Sequence, residues 1–171
     1  MTTLQDLELR PIQPADVPAL LDIIHASRRE YGIEDPVDPT LFEAYQRQRT
    51  LYFVALLQGE LVGCAGVAPL AGADPLTCEL QRMYLRAGAR GRGIGEALLQ
   101  RCLAAARQFL YVRCYLETVA QMQGALEFYA RNGFINLEAP VGRTGQERNN
   151  RWMMRPLRAS AKHWMGGALG W

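Results

Sequence analysis

Apolar and polar side chains alternate along some segments of the chain and recur at helical spacing along others. Apolar runs bounded by turn residues, together with the alternation over residues 78–85, predict strands over residues 7–10, 51–57, 61–67, 78–85, 112–118, 134–138 and 151–155. Apolar residues three or four apart predict helices over residues 17–31, 39–49, 94–109 and 120–131. Residues 58–60 join two strands as a hairpin, and the strand, turn, helix and strand from 78 to 118 require a parallel pair. The sequence therefore predicts an α/β fold around a mixed sheet.

The connection over residues 88–95 reads Gly-Ala-Arg-Gly-Arg-Gly-Ile-Gly and lies between the fourth strand and a long amphipathic helix. The start of a helix leaves backbone N–H groups unpaired and carries about half a positive charge, so an anion is stabilised there. Glycines allow a close approach of the main chain to a phosphate, and Arg86, Arg90 and Arg92 add positive charge. The pattern predicts a phosphate-binding turn.

Two familiar phosphate motifs fit this turn poorly. A Walker-type loop ends in Gly-Lys-Ser/Thr, whereas this one ends in Gly93-Ile-Gly-Glu96, which argues against a nucleotide triphosphatase. A dinucleotide fingerprint needs Gly-x-Gly-x-x-Gly, and here the third glycine comes one residue early, although Glu117 lies near the position of a ribose-binding acid. A dinucleotide-binding protein is therefore the less favoured alternative.

A third pattern, Arg/Gln-x-x-Gly-x-Gly/Ala, is met in full by residues 90–95. With it the chain resembles the GNAT superfamily of acyl-CoA-dependent N-acyltransferases. Residues 125–134, with an aromatic pair before Asn-Gly-Phe, match the second helix of that family and its exit, and the resemblance spans about residues 51–157. Many members carry Asn seven residues before the family tyrosine, where this chain has Met122.

The resemblance implies a central mixed, mostly antiparallel sheet of about six to seven strands flanked by about four helices. It also implies acetyl-CoA as co-substrate, with no metal. The backbone of the fourth strand would pair with the pantetheine arm, and the turn would hold the phosphates. The cofactor-binding residues expected from the resemblance are Met83, Tyr84, Leu85, Arg90, Gly91, Arg92, Gly93, Ile94, Gly95 and Glu96.

Acyl transfer to an amine needs two groups that handle protons. By position, Tyr129 matches the family tyrosine that protonates the cofactor sulfur; the alternative is a core aromatic. Glu79 lies near the start of the fourth strand, where some members carry the general base. The alternatives are a solvated strand glutamate at this position, with Glu117 or water as the base.

Composition limits the remaining choices. The 171 residues are the size of one domain, predicted over residues 1–157 and followed by a tail, 158–171, that is flexible or a contact segment. The net charge of +2 argues against a nucleic-acid binder. The N-terminus lacks a leader pattern and no apolar run is long enough for a membrane span, so the cytoplasm is expected. The four cysteines lack the spacing of a zinc site, and a homodimer is compatible with the sequence.

The sequence as a whole favours an acetyltransferase that passes the acetyl group of acetyl-CoA to an amine in one ternary complex. The acceptor is not identified, although four acidic residues between the first two helices would attract a cationic amine if they are not simply solvated: Glu30, Glu34, Asp35 and Asp38. The alternative of a different class is a non-catalytic acyl-CoA sensor that keeps the phosphate turn.

Overall fold

The computed structural model describes residues 4–157, so the predicted tail over 158–171 lies outside the described residues. Within that range, the strands are β1 (Leu7–Pro11), β2 (Leu51–Leu57), β3 (Glu60–Pro69), β4 (Thr77–Leu85), β5 (Arg113–Thr118), β6 (Ile135–Leu137) and β7 (Arg151–Pro156). The α-helices are α1 (Val17–Arg29), α2 (Ile94–Gln108) and α3 (Gln123–Arg131). No helix between residues 4 and 157 has the length and apolar character needed to cross a membrane.

The strands form one sheet of seven in the order β1-β2-β3-β4-β5-β7-β6. Neighbouring strands are antiparallel except β4 and β5, which are parallel, so the predicted mixed sheet is confirmed. The last strand, β7, lies between β5 and β6 because it pairs with β5 along its whole length, from Arg113 opposite Pro156 to Thr118 opposite Arg151. The sequence did not predict this insertion.

Each face of the sheet carries its own hydrophobic core, because successive strand residues point to opposite sides. In β2, Phe53 and Ala55 face the core beneath α2 and α3, whereas Tyr52 and Val54 face the core beneath α1. Three of the four buried, free cysteines lie in the first core, and Cys64 lies in the second. The protein thus has three layers, with α2 and α3 on one face of the sheet and α1 on the other.

The helix predicted over residues 39–49 is instead a 3-10 helix, Pro39–Gln46. The Asp38 side chain caps it by accepting from the Thr40 amide at 2.9 Å, and Arg47 already has extended backbone. In a 3-10 helix residues three apart eclipse, which places Phe42 and Tyr45 on the same side, 5.5 and 4.2 Å from the ring of Tyr52. These contacts favour the tighter winding, and the described residues hold three α-helices where about four were expected.

Strand β4 contains a bulge that the alternating pattern did not predict. Arg82 has a left-handed φ of 46°, and the register with β3 shifts between Cys64 and Gly66. On the other side, β4 pairs with β5 only over residues 77–79. The two strands part after Glu79, which leaves the rest of the β4 edge free of strand pairing.

Candidate active site

The predicted phosphate turn forms the start of α2. Gly93, with φ of 81°, is the residue before the helix, and its carbonyl accepts the first helical hydrogen bond from Ala97 at 3.1 Å. The backbone N–H groups of the residues before Ala97 in this first turn have no carbonyl within the helix to accept their hydrogen bonds. Gly91 and Arg92 are exposed, whereas Ile94 is a core side chain, so Ile94 offers only its backbone to a ligand.

The Arg90 guanidinium is engaged within the protein. It donates to both carboxylate oxygens of Glu30 at 2.7 and 3.0 Å and to the carbonyl of Leu85 at 3.1 Å. The hydrogen bond from Arg90 lowers the pKa of Glu30. Arg90 therefore ties the end of α1 to the turn, and Glu30, expected to attract an amine, neutralises an arginine instead.

The free edge of β4 meets the turn directly. Met83 and Leu85 point to the α2 core and Tyr84 to the α1 core. A Cβ on Gly95 would lie 3.3 Å from the Leu85 side chain and 3.5 Å from that of Met83, so the helix start and the strand end pack closely. The structure thus places the end of β4 beside the start of α2, where the residues predicted to bind the cofactor lie; of these, Ile94 and Gly95 are buried.

Glu79 lies at the point where β4 and β5 part. It is only 4% exposed, and its oxygens accept from Gln81 at 2.7 Å and from Gln146 at 3.3 Å. Burial raises the pKa of the Glu79 carboxyl to about 7, and the charge of Glu117 adds to the rise, while the Gln81 hydrogen bond and the charge of Arg82 oppose it. A carboxyl with a pKa near neutrality can accept and release a proton under physiological conditions.

Glu117, the rival base, is held by three donors. Its oxygens accept from Tyr115 Oη and Thr144 Oγ1, each at 2.7 Å, and from Asn149 Nδ2 at 3.3 Å. Asn149 also donates to Gln146, the residue that contacts Glu79. The loop between β6 and β7 thus joins the two carboxylates, which the sequence did not indicate because that loop has the composition of a solvated connection.

A second polar chain leads from Glu79 toward α1. Gln81 accepts from the hydroxyl of Tyr45 at 3.3 Å, and that hydroxyl accepts from the guanidinium of Arg82 at 3.3 Å. Burial raises the pKa of Tyr45 to about 12, so its hydroxyl stays protonated and can donate. Tyr45 comes from the 3-10 helix, far from β4 along the chain, and no local motif marks it.

Tyr129 lies in the core beneath α2 and α3, with its ring 5.4 Å from that of Phe128 and 5.7 Å from that of Phe134. Burial raises its pKa, so the phenol is a proton donor at neutral pH. No fully buried side-chain polar atom within residues 4–157 lacks a hydrogen-bond partner. The Tyr129 hydroxyl has no hydrogen-bond partner among the described residues, so within this part of the chain the phenol is not committed to another group.

The match to known proteins decides the family. The model of the Acetyltransferase (GNAT) family matches residues 17–134. The chain belongs to the GNAT family. It is 33% identical over 157 residues to the uncharacterized N-acetyltransferase YjgM of Escherichia coli K12, a match that covers 87% of this chain and 94% of that protein. As a member of this family, the chain is an acetyl-CoA-dependent acyltransferase.

Solved structures show the same GNAT fold. An acetyltransferase of the GNAT family from Staphylococcus aureus Mu50 has a TM-score of 0.77 at 20% identity, covering 89% of this chain and 99% of that one. YncA from Salmonella typhimurium, solved with its cofactor acetyl-CoA, has a TM-score of 0.75 at 20% identity, covering 92% of this chain and 97% of that one. The predicted resemblance and fold class are confirmed.

Two features of this GNAT protein lie apart from the carboxylates and the turn. Met122, which stands where many members carry Asn, accepts at its sulfur from the Thr118 hydroxyl at 3.4 Å. A groove of about 550 Å³ between α3 and strands β6 and β7 contains neither Glu79 nor Glu117. Between residues 4 and 157, no three His, Cys, Asp or Glu side chains come together as a metal site.

Proposed function

We propose that this enzyme transfers an acetyl group from acetyl-CoA to the amine of an acceptor by direct attack in a ternary complex. The observation that carries the proposal is the Glu79 carboxyl, whose pKa of about 7 belongs to a buried group at the opening between β4 and β5. An amine nucleophile with an ordinary pKa near 10 is mostly protonated at neutral pH, so a base beside it is required.

In the proposed reaction, Glu79 takes a proton from the amine, directly or through water. The amine nitrogen then bonds to the carbonyl carbon of the thioester, and the carbon–sulfur bond breaks. Tyr129 supplies a proton to the departing thiolate, a role supported by its raised pKa, which keeps the phenol protonated at neutral pH. The three hydrogen bonds to Glu117 support a positioning role for that residue instead.

The co-substrate would lie along the surface formed by the β4 edge and the α2 start. The unpaired amides of the turn suit the pyrophosphate. The β4 edge at Met83, Tyr84 and Leu85, which carries no neighbouring strand on the β5 side, suits the amides of the pantetheine arm, although the Leu85 carbonyl already accepts from Arg90. Arg90 would contribute through its side chain only after partial release from Glu30, so the exposed Arg92 is the better candidate for a phosphate contact. We further propose that residues 1–157 form the catalytic domain. We also propose a cytoplasmic location, because the free, buried cysteines suit reducing surroundings.

The test combines CoA binding with thiol release. Calorimetry measures CoA affinity, and a panel of amines with acetyl-CoA is screened for free thiol above the rate of hydrolysis. We expect CoA binding together with amine-dependent thiol release. Double-reciprocal plots of the initial rate should intersect when both substrates are varied. Tight CoA binding with no amine-dependent release would contradict the proposal and favour an acyl-CoA sensor.

A further inference from the structure

Arg82 is a half-buried cation in the opening beside Glu79. Within residues 4–157 it forms no ion pair with a carboxylate, and its guanidinium donates to the neutral hydroxyl of Tyr45 at 3.3 Å. Six arginines of the described residues do have acidic partners: Arg10, Arg28, Arg86, Arg90, Arg113 and Arg148. A charge that is partly removed from water without a counter-ion is costly, and an arriving anion would relieve that cost.

The position of Arg82 is built into the sheet. Because of the bulge, Gln81 and Arg82 both contact Tyr45, whereas regular alternation would point them to opposite faces. The Arg82 carbonyl accepts from the buried hydroxyl of Tyr52 at 3.0 Å and from Cys64 Sγ at 3.4 Å. The core therefore holds the backbone from which the guanidinium projects.

The same polar chain connects Arg82 to the proposed base. Arg82 donates to Tyr45, Tyr45 donates to Gln81, and Gln81 donates to Glu79 at 2.7 Å. The guanidinium and the carboxyl thus lie on the α1 side of the sheet, joined by hydrogen bonds through Tyr45 and Gln81. A small acceptor whose amine reaches Glu79 would place its neighbouring atoms toward Arg82.

We propose that Arg82 selects acceptors that carry a carboxylate close to the reacting amine, which is the chemistry of a free amino acid. The inference rests on the proposed transferase function and names its substrate class. A guanidinium presents a planar fork of donors that matches a carboxylate, so it can bind the acid and leave the amine free for Glu79.

The charge around the opening agrees with this choice. Asp35, one of the acids expected to attract an amine, is shared by two arginines, Arg28 at 3.8 Å and Arg148. Asp38 is occupied as the cap of the 3-10 helix. Three of the four acids in this connection, Glu30, Asp35 and Asp38, are therefore engaged within the protein, which weakens the attraction expected for a purely cationic acceptor.

The test measures binding, so it does not depend on turnover. Calorimetry in the presence of CoA compares N-acetyl-L-alanine, N-acetyl-L-glutamate and N-acetyl-L-phenylalanine with the matching carboxamides. We expect at least one acid to bind about 10-fold to 100-fold more tightly than its carboxamide, the usual range for a charge-assisted hydrogen-bonded pair. Arg82→Gln should abolish the preference, Arg82→Lys should restore part of it, and the exposed control Arg47→Gln should keep it.

Two results would overturn the inference: equal affinity for every acid and its carboxamide, or an unchanged preference in Arg82→Gln. Circular dichroism and CoA affinity show whether each variant is folded, and Arg82→Lys provides a second variant at the same backbone position. Failure of the transferase proposal would appear separately, as CoA binding without thiol release. The two proposals can therefore fail independently.

Discussion

Glu79→Gln replaces a buried carboxyl by a neutral amide of nearly the same shape, and it should make the stability of the protein less dependent on pH. The folded pKa is about 7, against an ordinary value of 4.5. Below pH 4.5 the carboxyl is protonated in both the folded and unfolded states, so it costs nothing. As the pH rises toward 7, the unfolded state gains stability by ionising while the folded state cannot, and the free energy of unfolding falls.

The size of the effect follows from the two pKa values. One pH unit of difference between the two pKa values corresponds to about 1.4 kcal/mol, so the free energy of unfolding decreases by about 3 kcal/mol in all. About 2.5 kcal/mol of this decrease falls between about pH 5 and about pH 8. The side chain is 4% exposed, so solvent screening takes little from this figure. The new amide can keep its oxygen toward Gln81, and its nitrogen then faces Gln146, the more distant partner at 3.3 Å. The exposed Gln146 amide would turn to accept from it and would give up the hydrogen bond from Asn149.

The assay is urea unfolding of the parent and Glu79→Gln at both pH values. At each pH, the free energy of unfolding of the parent is subtracted from that of the variant. Comparing this difference at the two pH values removes any effect of the new side chain that does not depend on pH. The variant should gain about 2.5 kcal/mol relative to the parent on going from about pH 5 to about pH 8. Glu43→Gln, on an exposed residue of the 3-10 helix, is the matched control and should show no such gain.

The same ionisation governs the proposed chemistry. In the parent, turnover at saturating acetyl-CoA should rise through about pH 7, because only the ionised carboxylate can take a proton. Glu79→Gln should lose this inflection together with most of the turnover. A relative stability gain below about 0.5 kcal/mol would refute the electrostatic reasoning, because a carboxyl with an ordinary pKa gives none.

Three further substitutions test the cofactor surface, the proposed acid and the sheet. Tyr129→Phe should leave stability and CoA affinity nearly unchanged but slow a chemistry-limited turnover by roughly 100-fold; full activity would make Tyr129 a core aromatic only. Gly93→Ala, at a φ of 81°, should weaken CoA binding measured by calorimetry, whereas Gly88→Ala, where a Cβ meets nothing within 4 Å, should not. Gly66→Ala should lower the free energy of unfolding by about 1 to 3 kcal/mol, because the new Cβ collides with the ring of Tyr52, and unchanged urea unfolding would contradict that packing.

Local patterns predicted the parts of the fold that depend on local chemistry. The turn at 88–95 could be identified because its glycines and arginines are consecutive, and the helix after it because its apolar spacing is regular. Glu79 and Tyr129 could be named only through the family resemblance. Their burial and raised pKa values come from the packing of distant elements.

The rest of the candidate site depends on contacts between residues far apart in the chain. Tyr45 reaches Gln81 across 36 positions, and Gln146 reaches Glu79 across 67. The bulge at Arg82 breaks the alternation from which strand faces are predicted, so its side chain could not be assigned to the α1 side. The 3-10 winding of Pro39–Gln46 is favoured by aromatic packing on Tyr52, which no periodicity in that segment reveals.

Transfer of a labelled acetyl group tests the central claim most directly. Acetyl-CoA carrying a deuterated acetyl group is incubated with the enzyme and a panel of amines that includes the free amino acids, and products are followed by mass spectrometry while thiol is measured in parallel. We expect a labelled amide in an amount equal to the thiol released, with both lost in Glu79→Gln and Tyr129→Phe variants that still bind CoA. Thiol release without a labelled amide, or transfer by both variants at the rate of the parent enzyme, would contradict the proposed mechanism.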